Sequence, residues 1–562
     1  ELEAAYEAPR TAAEETLAGI WAAVLGVEQV GVHDSFFELG GDSILSIQVV
    51  ARANQAGLRL TPRQLFERPT VAGLAAVAGK GPAIQAEQGL VEGEAPLTPI
   101  QRWFLECELA EAHHWNQAIL LEVRQPLERE VLEETVRQLL GHHDALRLRY
   151  ERGEGGWRQW NSLPEEGVPF SWVELAGLEA AEQRAAIETH AAALQGSLNL
   201  EAGPLMRLAY FDMGEGQAGR LLVVVHHLAI DGVSWRILLE DLETVYGHLA
   251  MGQPVQLPPK TTSFQAWARR LMAYGQSKVV QGELDYWLRQ GREGVARLPL
   301  DDETGENEEG SARSVSVGLT EEETEALLKE APAAYRTEIN DVLLTALAQT
   351  VARWTGRRAV LVELEGHGRE DLFDDVDVSR TVGWFTAVYP VRLELRGQRT
   401  PGEALMTIKE QLRQVPNRGM GYGLLRYLSG NADIAEALER QSQAEISFNY
   451  LGQFDRVLPK DSPFGPARES RGPDRSPRGK RAHLLEINGA VAGGRLGFEW
   501  TYSKNLHRRA TVERLAWDYI ASLRALIAHC RSAEAGMVTP SDFDLADLDQ
   551  RKLDKVLAKL KI

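Results

Sequence analysis

Apolar residues recur at helical spacing near the start of the chain: Leu17, Ile20, Trp21, Val24 and Leu25, then Ile44, Ile47, Val50 and Ala51 after Ser43. Each set falls on one face of a 3.6-residue helix. Thr61 before Pro62 reads as an N-cap with proline at the first helical position, and Arg68-Pro69-Thr70 as a turn ahead of a further helix. With no strand period anywhere in it, residues 1–80 read as a small four-helix bundle. Residues 81–95 turn to Gly, Pro, Glu and Gln without an apolar period, as a solvated linker does. Beyond it, strand-like runs at 118–123, 221–225, 359–364, 388–395, 446–450 and 496–502 alternate with helical ones at 128–140, 321–329, 341–354 and 512–529. This pattern predicts a mixed α/β body large enough for two lobes, placed at 96–275 and 276–540. In the tail, 541–562, Leu553, Val556, Leu557 and Leu560 form a short amphipathic stripe that needs a partner surface.

Composition narrows the classes. The 562 residues carry a formal charge of -20, which argues against nucleic acid or an anionic membrane as partner. The two cysteines, Cys107 and Cys530, have no ligand-type spacing, so a disulfide framework and a cysteine zinc site are not expected. There is no signal peptide and no bilayer-length apolar run, and a cytoplasmic location is expected. A chain that begins at Glu1 rather than Met reads as a piece of a larger polypeptide. The charged segments 301–309 and 468–481 read as exposed loops, and Trp354 and Trp517 as core.

A serine after paired glycines at a helix start suits an anionic substituent, because the glycines allow a tight turn and the helix-terminal amides favour negative charge. An ordinary helix cap would look the same. The wider run Asp34-Ser35-Phe36-Phe37-Glu38-Leu39-Gly40-Gly41-Asp42-Ser43-Ile44, with Gln64-Leu65-Phe66-Glu67-Arg68-Pro69-Thr70, resembles the peptidyl carrier domains of nonribosomal peptide synthetases. That resemblance implies 4′-phosphopantetheine on Ser43, attached by a phosphopantetheinyl transferase and carrying an amino acid or peptide as a thioester. Asp42 resembles the aspartate found in carriers that serve epimerization domains.

The run Val225-His226-His227-Leu228-Ala229-Ile230-Asp231-Gly232-Val233-Ser234-Trp235 follows an apolar strand. A histidine leaving a buried strand is well placed for proton transfer. Paired histidines also suit a metal, but no third ligand stands at zinc-type spacing. The run resembles the active-site signature shared by condensation and epimerization domains, which implies that His227 acts on substrate and that Asp231 is structural, held by arginine. Leu364-Glu365-Gly366-His367-Gly368-Arg369-Glu370, Ser379-Arg380-Thr381-Val382-Gly383-Trp384-Phe385-Thr386, Asn417-Arg418-Gly419-Met420-Gly421-Tyr422-Gly423 and Ser447-Phe448-Asn449-Tyr450-Leu451-Gly452-Gln453 resemble further epimerization motifs, as does Pro99-Ile100-Gln101-Arg102-Trp103-Phe104. The implied fold is a carrier bundle followed by a two-lobed, chloramphenicol-acetyltransferase-like α/β domain. Arg380 is the implied partner of Asp231, and His226, Trp235, Trp384, Asn449 and Tyr450 are implied to support the pocket. The histidine pairs in His113-His114 and His142-His143-Asp144 lack that spacing; the first reads as a pocket or interface element, the second as structural.

The implied reaction is an isomerisation: removal of the α-proton of the carrier-bound thioester and its return on the opposite face, by His227 and Glu365, with no metal. The resemblance further implies docking of the chain's own carrier, an upstream adenylation domain, a downstream synthetase condensation domain reached through the tail, and a role in antibiotic biosynthesis. The alternatives are a condensation domain forming a peptide bond and a noncatalytic docking module. Glu365 and its motif would be idle in either.

Overall fold

Thr11 opens the first helix by accepting from the Glu14 amide at 3.2 Å while the Glu14 carboxylate accepts from the Thr11 amide at 3.1 Å, a reciprocal cap that satisfies two donors otherwise left bare. In the computed structural model, which describes residues 6–79, 86–291, 294–395, 397, 400–453, 462–532, 535–536 and 539–542, this helix is α1 (Ala12–Leu25). It is followed by α2 (Ser43–Gln55), α3 (Pro62–Glu67) and α4 (Val71–Ala75). Leu17, Trp21, Leu45, Val49, Leu65 and Leu74 close on one another as the bundle core, with Phe36 edge-on to Trp21 at 5.1 Å.

The body is built on two main sheets. One has the order β12 (Phe464–Pro466), β2 (Asn116–Val123), β7 (Gly219–His226), β6 (Met206–Asp212), β5 (Phe170–Glu174). The other runs β10 (Ala387–Glu394), β9 (Ala359–Gly366), β11 (Ile446–Gln453), β13 (Leu485–Ala492), β14 (Arg495–Ser503), β8 (Ala312–Gly318). A small third sheet joins β1 (Gly93–Ala95), β4 (Gly156–Asn161) and β3 (Leu148–Gly153). All six strand-like runs lie in these strands and the helical runs in helices. The lobes share chain. β12 pairs with β2 in the first lobe, whose core also takes in Trp384, Phe385 and the helix Met420–Leu428.

Strand alternation sets the chemistry of the cleft between the lobes. In the six-stranded sheet Val362, Leu364, Ile446, Phe448, Leu485 and Ile487 enter the second core, so Glu363, Glu365, Asn449 and Glu486 point to the other face. Trp354 packs against that core. Trp517, expected inside, is 54% exposed, because one large residue on the outer side of a long amphipathic helix carries no packing requirement. Among the described residues no helix is long and apolar enough to cross a membrane. The tail stripe at Leu553 to Leu560 lies outside the described residues.

Polar and cation–π contacts join the bundle to the body. The Arg63 amide donates to Asp371 at 2.7 Å, Asn54 to Asp377 at 3.4 Å, and Gln453 to the Gly40 carbonyl at 3.1 Å. The Arg418 guanidinium lies 4.1 Å over the Phe66 ring. Arg418 follows Asn417 in the left-handed region, at φ 49° and 43°, a costly conformation for side-chain-bearing residues that turns Arg418 out to the bundle. A cation over an aromatic face at a partly exposed site contributes about 0.5–1 kcal/mol. Arg418→Ala is therefore expected to weaken the contact of bundle and body about two- to fivefold, read as faster limited proteolysis at the segment that joins them.

Candidate active site

β7 delivers two adjacent histidines to its end, and each meets a different fate. His226 is fully enclosed: its Nε2–H donates to the Ala112 carbonyl at 2.8 Å and Nδ1 accepts from the Leu228 amide at 3.1 Å. Burial pushes its pKa down to about 3, which makes it a neutral brace. His227 turns into the cleft. Its Nδ1 lies 2.8 Å from the Ile230 carbonyl, which can only accept, so the hydrogen sits on Nδ1. Nε2 then accepts from the Gln117 amide at 3.0 Å, and the other end of Gln117 accepts from the Trp235 indole at 2.7 Å. The Trp384 ring stacks on the imidazole at 4.1 Å. Burial lowers the His227 pKa to about 4, leaving a free base with a lone pair aimed by Gln117.

Asp231 is structural, but its partner is Arg369. The Arg369 guanidinium donates to Asp231 at 3.2 and 3.4 Å, to Ser234 Oγ at 2.8 Å, and to the Val378 and Thr381 carbonyls at 2.6 and 2.8 Å. Asp231 also caps the helix Gly232–Ala250 through the Ser234 amide at 2.7 Å and accepts from the Phe385 amide at 3.0 Å. Arg380 reaches that helix ten residues further on, about 15 Å along its axis, where it pairs with Asp241 and with Glu240 at 2.8 Å. Gly368, just before Arg369, is required by close approach: a Cβ there would stand 1.7 Å from the Phe385 carbonyl.

Glu365 ends β9 on the cleft face. Its carboxylate accepts from the Asn449 amide at 2.9 Å. The side chain is exposed to the cleft with protein crowded about its base, so a substrate can reach a group whose environment disfavours charge. Burial, then the neighbouring Glu363, raises its pKa to about 7, against the pull of Arg475 and His483. Tyr450 alternates onto the other face, against the second core.

The segment 468–481 is largely exposed, as expected of it, but Arg475 within it turns into the cleft. Its guanidinium lies 4.0 Å over Trp115 and pairs with Glu309 at 2.8 Å and Glu486 at 3.5 Å. Trp115 in turn accepts from the His227 amide at 2.9 Å. The same positive charge lowers the pKa of both His227 and Glu365. Arg481, 6% exposed, pairs with Glu486 at 2.9 Å, and His483 with Glu363 at 2.9 Å. His114 Nε2–H donates to the Pro473 carbonyl at 2.7 Å, so the second histidine of the early pair helps seat this segment, while His113 accepts from the Leu200 amide at 3.0 Å. Neither Arg475 nor Gln117 stands in a recognisable motif.

Ser43 begins α2 behind a turn in which only glycine fits at position 41, since a Cβ would come within 2.3 Å of the Phe36 ring. Asp42 accepts from the Ile44 and Leu45 amides at 2.9 and 2.8 Å. These helix-terminal donors therefore serve the aspartate, not an anion on Ser43. The half-buried serine remains at the helix start beside Gly452 and Gln453, which fits a phosphopantetheine attachment point facing the body. From Gln453 back to Asn449 is about 13 Å of strand.

His142, His143 and Asp241 bring ligating atoms within 4.8 Å of one another. His143 lies 3.0 Å from Asp241, and Arg380 already neutralises the other carboxylate oxygen, so the trio reads as a buried structural pair with a neighbour.

A family model described as condensation domain matches residues 91–548, and one described as phosphopantetheine attachment site matches residues 15–78. The chondramide synthase of Chondromyces crocatus is 49% identical over 560 residues, covering 99% of this chain and 14% of that protein. Gramicidin S synthase 1 of Brevibacillus brevis is 39% identical over 561 residues, 98% of this chain and 50% of that protein. The chain thus spans at most half the length of these two relatives. The epimerization domain from the third module of tyrocidine synthetase B is similar over 80% of this chain and 99% of its own, with 36% identity and a TM-score of 0.74.

Proposed function

Because this chain belongs to the condensation-domain family, joined to a phosphopantetheine carrier in the manner of nonribosomal peptide synthetases, we propose that it epimerizes the α-carbon of an aminoacyl or peptidyl thioester carried on Ser43. The domain bounds 1–80, 96–275 and 276–540 are part of that reading. The observation that carries it is the placement of Glu365, a carboxyl group on the cleft face of β9 held by the Asn449 amide at 2.9 Å, in the same cleft as a neutral His227. Peptide-bond formation has no use for a second proton-transfer group there. The thioester supplies a carbonyl that acidifies the α-carbon, and the chain supplies the proton movements.

At rest near neutrality the pair holds one proton. Glu365 keeps it, and His227 Nε2, once the substrate displaces the Gln117 amide from its one lone pair, takes another from carbon while Glu365 returns its own to the opposite face. In the reverse direction the roles exchange. Arg475, fixed by Glu309 and Glu486, adds positive potential where negative charge develops.

The rate is therefore expected to be bell-shaped in pH, falling below about 4 as the pair takes a second proton on His227 and above about 7 as Glu365 loses the only one. Arg475→Gln removes a charge that lowers both pKa values, so both limbs should move to higher pH. Arg475→Lys should move them less. A lower rate with unmoved limbs would assign Arg475 a purely structural role.

Condensation is the reading to exclude, since the matching family model bears that description. Ser43 loaded separately with the L- and the D-residue should converge on one mixture by chiral analysis. Retained chirality, with elongation of an added acceptor, would establish condensation.

In the same reading an adenylation domain loads the carrier and the tail hands product to a downstream condensation domain. Asp542 pairs with Lys409, 1% exposed, at 2.6 Å, so a truncation that tests the tail must retain Asp542. It should spare epimerization and impair transfer.

A further inference from the structure

Gln117 occupies the one position that the α-proton must reach. Its Nε2 lies 3.0 Å from His227 Nε2, on the lone pair that receives that proton, and its Oε1 accepts from the Trp235 indole at 2.7 Å. An indole N–H can only donate, so the oxygen end of the amide is fixed and the NH2 end is turned to His227. The amide cannot flip without setting donor against donor. Gln117 and His227 are both half-buried, at the wall of the cleft.

A substrate that reaches His227 must push the NH2 group aside, and a displaced donor needs a new acceptor. The other donors beside the imidazole are spent: the Trp235 indole on Gln117, His227 Nδ1–H on the Ile230 carbonyl at 2.8 Å, and the His227 amide on the Trp115 carbonyl at 2.9 Å. Gln117 Nε2 carries two hydrogens and has one partner among the described residues. The carbonyl oxygen of a thioester is two bonds from its α-carbon, so it arrives beside the place that the NH2 group vacates. A pivot about the anchored oxygen end exchanges the imidazole for that carbonyl.

We infer that Gln117 is a catalytic residue: displaced from His227 by the bound thioester, its amide donates to the thioester carbonyl oxygen and holds the enolate that forms there. The inference rests on the epimerase reading and supplies its oxyanion donor. As the α-carbon–hydrogen bond breaks, the proton passes to His227 Nε2 and the electron pair moves onto the oxygen. As Glu365 delivers its proton to the opposite face, the pair returns to carbon. Gln117 neither gains nor loses a proton. Its new hydrogen bond strengthens as the neutral carbonyl becomes an anion, and a contact that strengthens only on the way to the transition state raises the rate rather than the affinity. Trp235 acts through Gln117, as a positioning residue.

The test loads Ser43 of the whole chain with a glycyl-L-leucyl phosphopantetheine arm carrying 13C at the thioester carbonyl. Isotope-edited infrared spectroscopy then reads the hydrogen bond directly, because a donor on the carbonyl lowers its stretching frequency. Gln117→Met, of similar size and with no N–H to give, should move the band to higher frequency and slow α-deuterium uptake by about 10²–10³-fold, the usual cost of one lost oxyanion donor. Trp235→Phe keeps the amide but frees its oxygen end, and should move both readouts in the same direction by less; it carries the test if Gln117→Met does not fold. A band that neither variant moves would overturn the inference even if uptake slows, because Gln117 would then act through His227 alone. The band needs no turnover, so its outcome is separate from that of the epimerase reading. That reading fails if the unsubstituted, loaded chain takes up no deuterium, wherever the band lies.

Discussion

Glu365→Gln is expected to lower α-proton exchange on Ser43-bound substrate by roughly 10²–10⁴-fold, the usual contribution of a positioned proton-transfer group. Glutamine keeps the shape and can still accept from Asn449 through its amide oxygen, so the bond now 2.9 Å long survives. What is lost is the titratable proton. Because Glu365 is held in surroundings that disfavour its charge, the substitution should not lower the melting temperature. His227→Ala should cost a similar factor. If the two act as one unit, the double variant should be little slower than either single one, a non-additivity that independent sites would not produce. Deuterium uptake by the loaded protein, with loading confirmed by intact mass, measures all three.

Asp231→Ala should be among the most destabilising single changes available in the first lobe, by about 3–5 kcal/mol, the usual cost of leaving one member of a buried ion pair alone. Arg369 is 2% exposed, and its guanidinium also lies 3.9 Å over the Phe385 ring. Without Asp231 that charge loses its hydrogen-bonded carboxylate and keeps only the weaker pull of Asp377, the helix Gly232–Ala250 loses its cap, and the Phe385 amide loses its acceptor. The position of His227 depends on all three. The pairing can be tested by urea unfolding of single and double variants: Asp231 and Arg369 should be strongly coupled, whereas Asp231 and Arg380 should be nearly additive. Strong coupling of Asp231 to Arg380 would restore the assignment that the motif resemblance implies.

That assignment shows where linear reasoning stops. The apolar periods of α1, α2 and the strands 219–226 and 359–366 were legible because burying one face is a local demand that each segment meets alone. The motifs around Ser43, His227 and Glu365 were legible because each is a short run whose residues act near one another. The partner of Asp231 is a question of which of two arginines the fold brings within reach. Arg369 and Arg380 are both preceded by residues typical of the family, and only the path of the chain from β9 to β10 decides between them. The true partner of Arg380, Asp241, sits in mid-helix with nothing in its neighbours to mark it.

Arg475 is the larger omission, and its cause is physical. A segment rich in Arg, Asp, Pro and Gly with no apolar period reads as solvated. Most of it is solvated; Arg475 alone of its early arginines turns inward because the other side of the cleft supplies Glu309 and Glu486 for its charge and Trp115 for its guanidinium. Such compensation is wholly tertiary. Gln117 was missed for a similar reason: a glutamine in an alternating strand is unremarkable until the partner strand places His227 beside it. Asp42 has a structural part that its resemblance alone does not carry. It holds the start of α2 by taking the amides that an anion on Ser43 would otherwise meet.

The most direct test of epimerization is isotope exchange at the α-carbon. The whole chain, with an L-peptidyl phosphopantetheine arm enzymatically attached to Ser43, is incubated in D2O, released and measured by mass spectrometry with chiral separation. Epimerization predicts one deuterium at the α-carbon, present in D-product from the first turnovers and absent from a Glu365→Gln control. A folded, loaded protein whose residue stays L and gains no deuterium would contradict it.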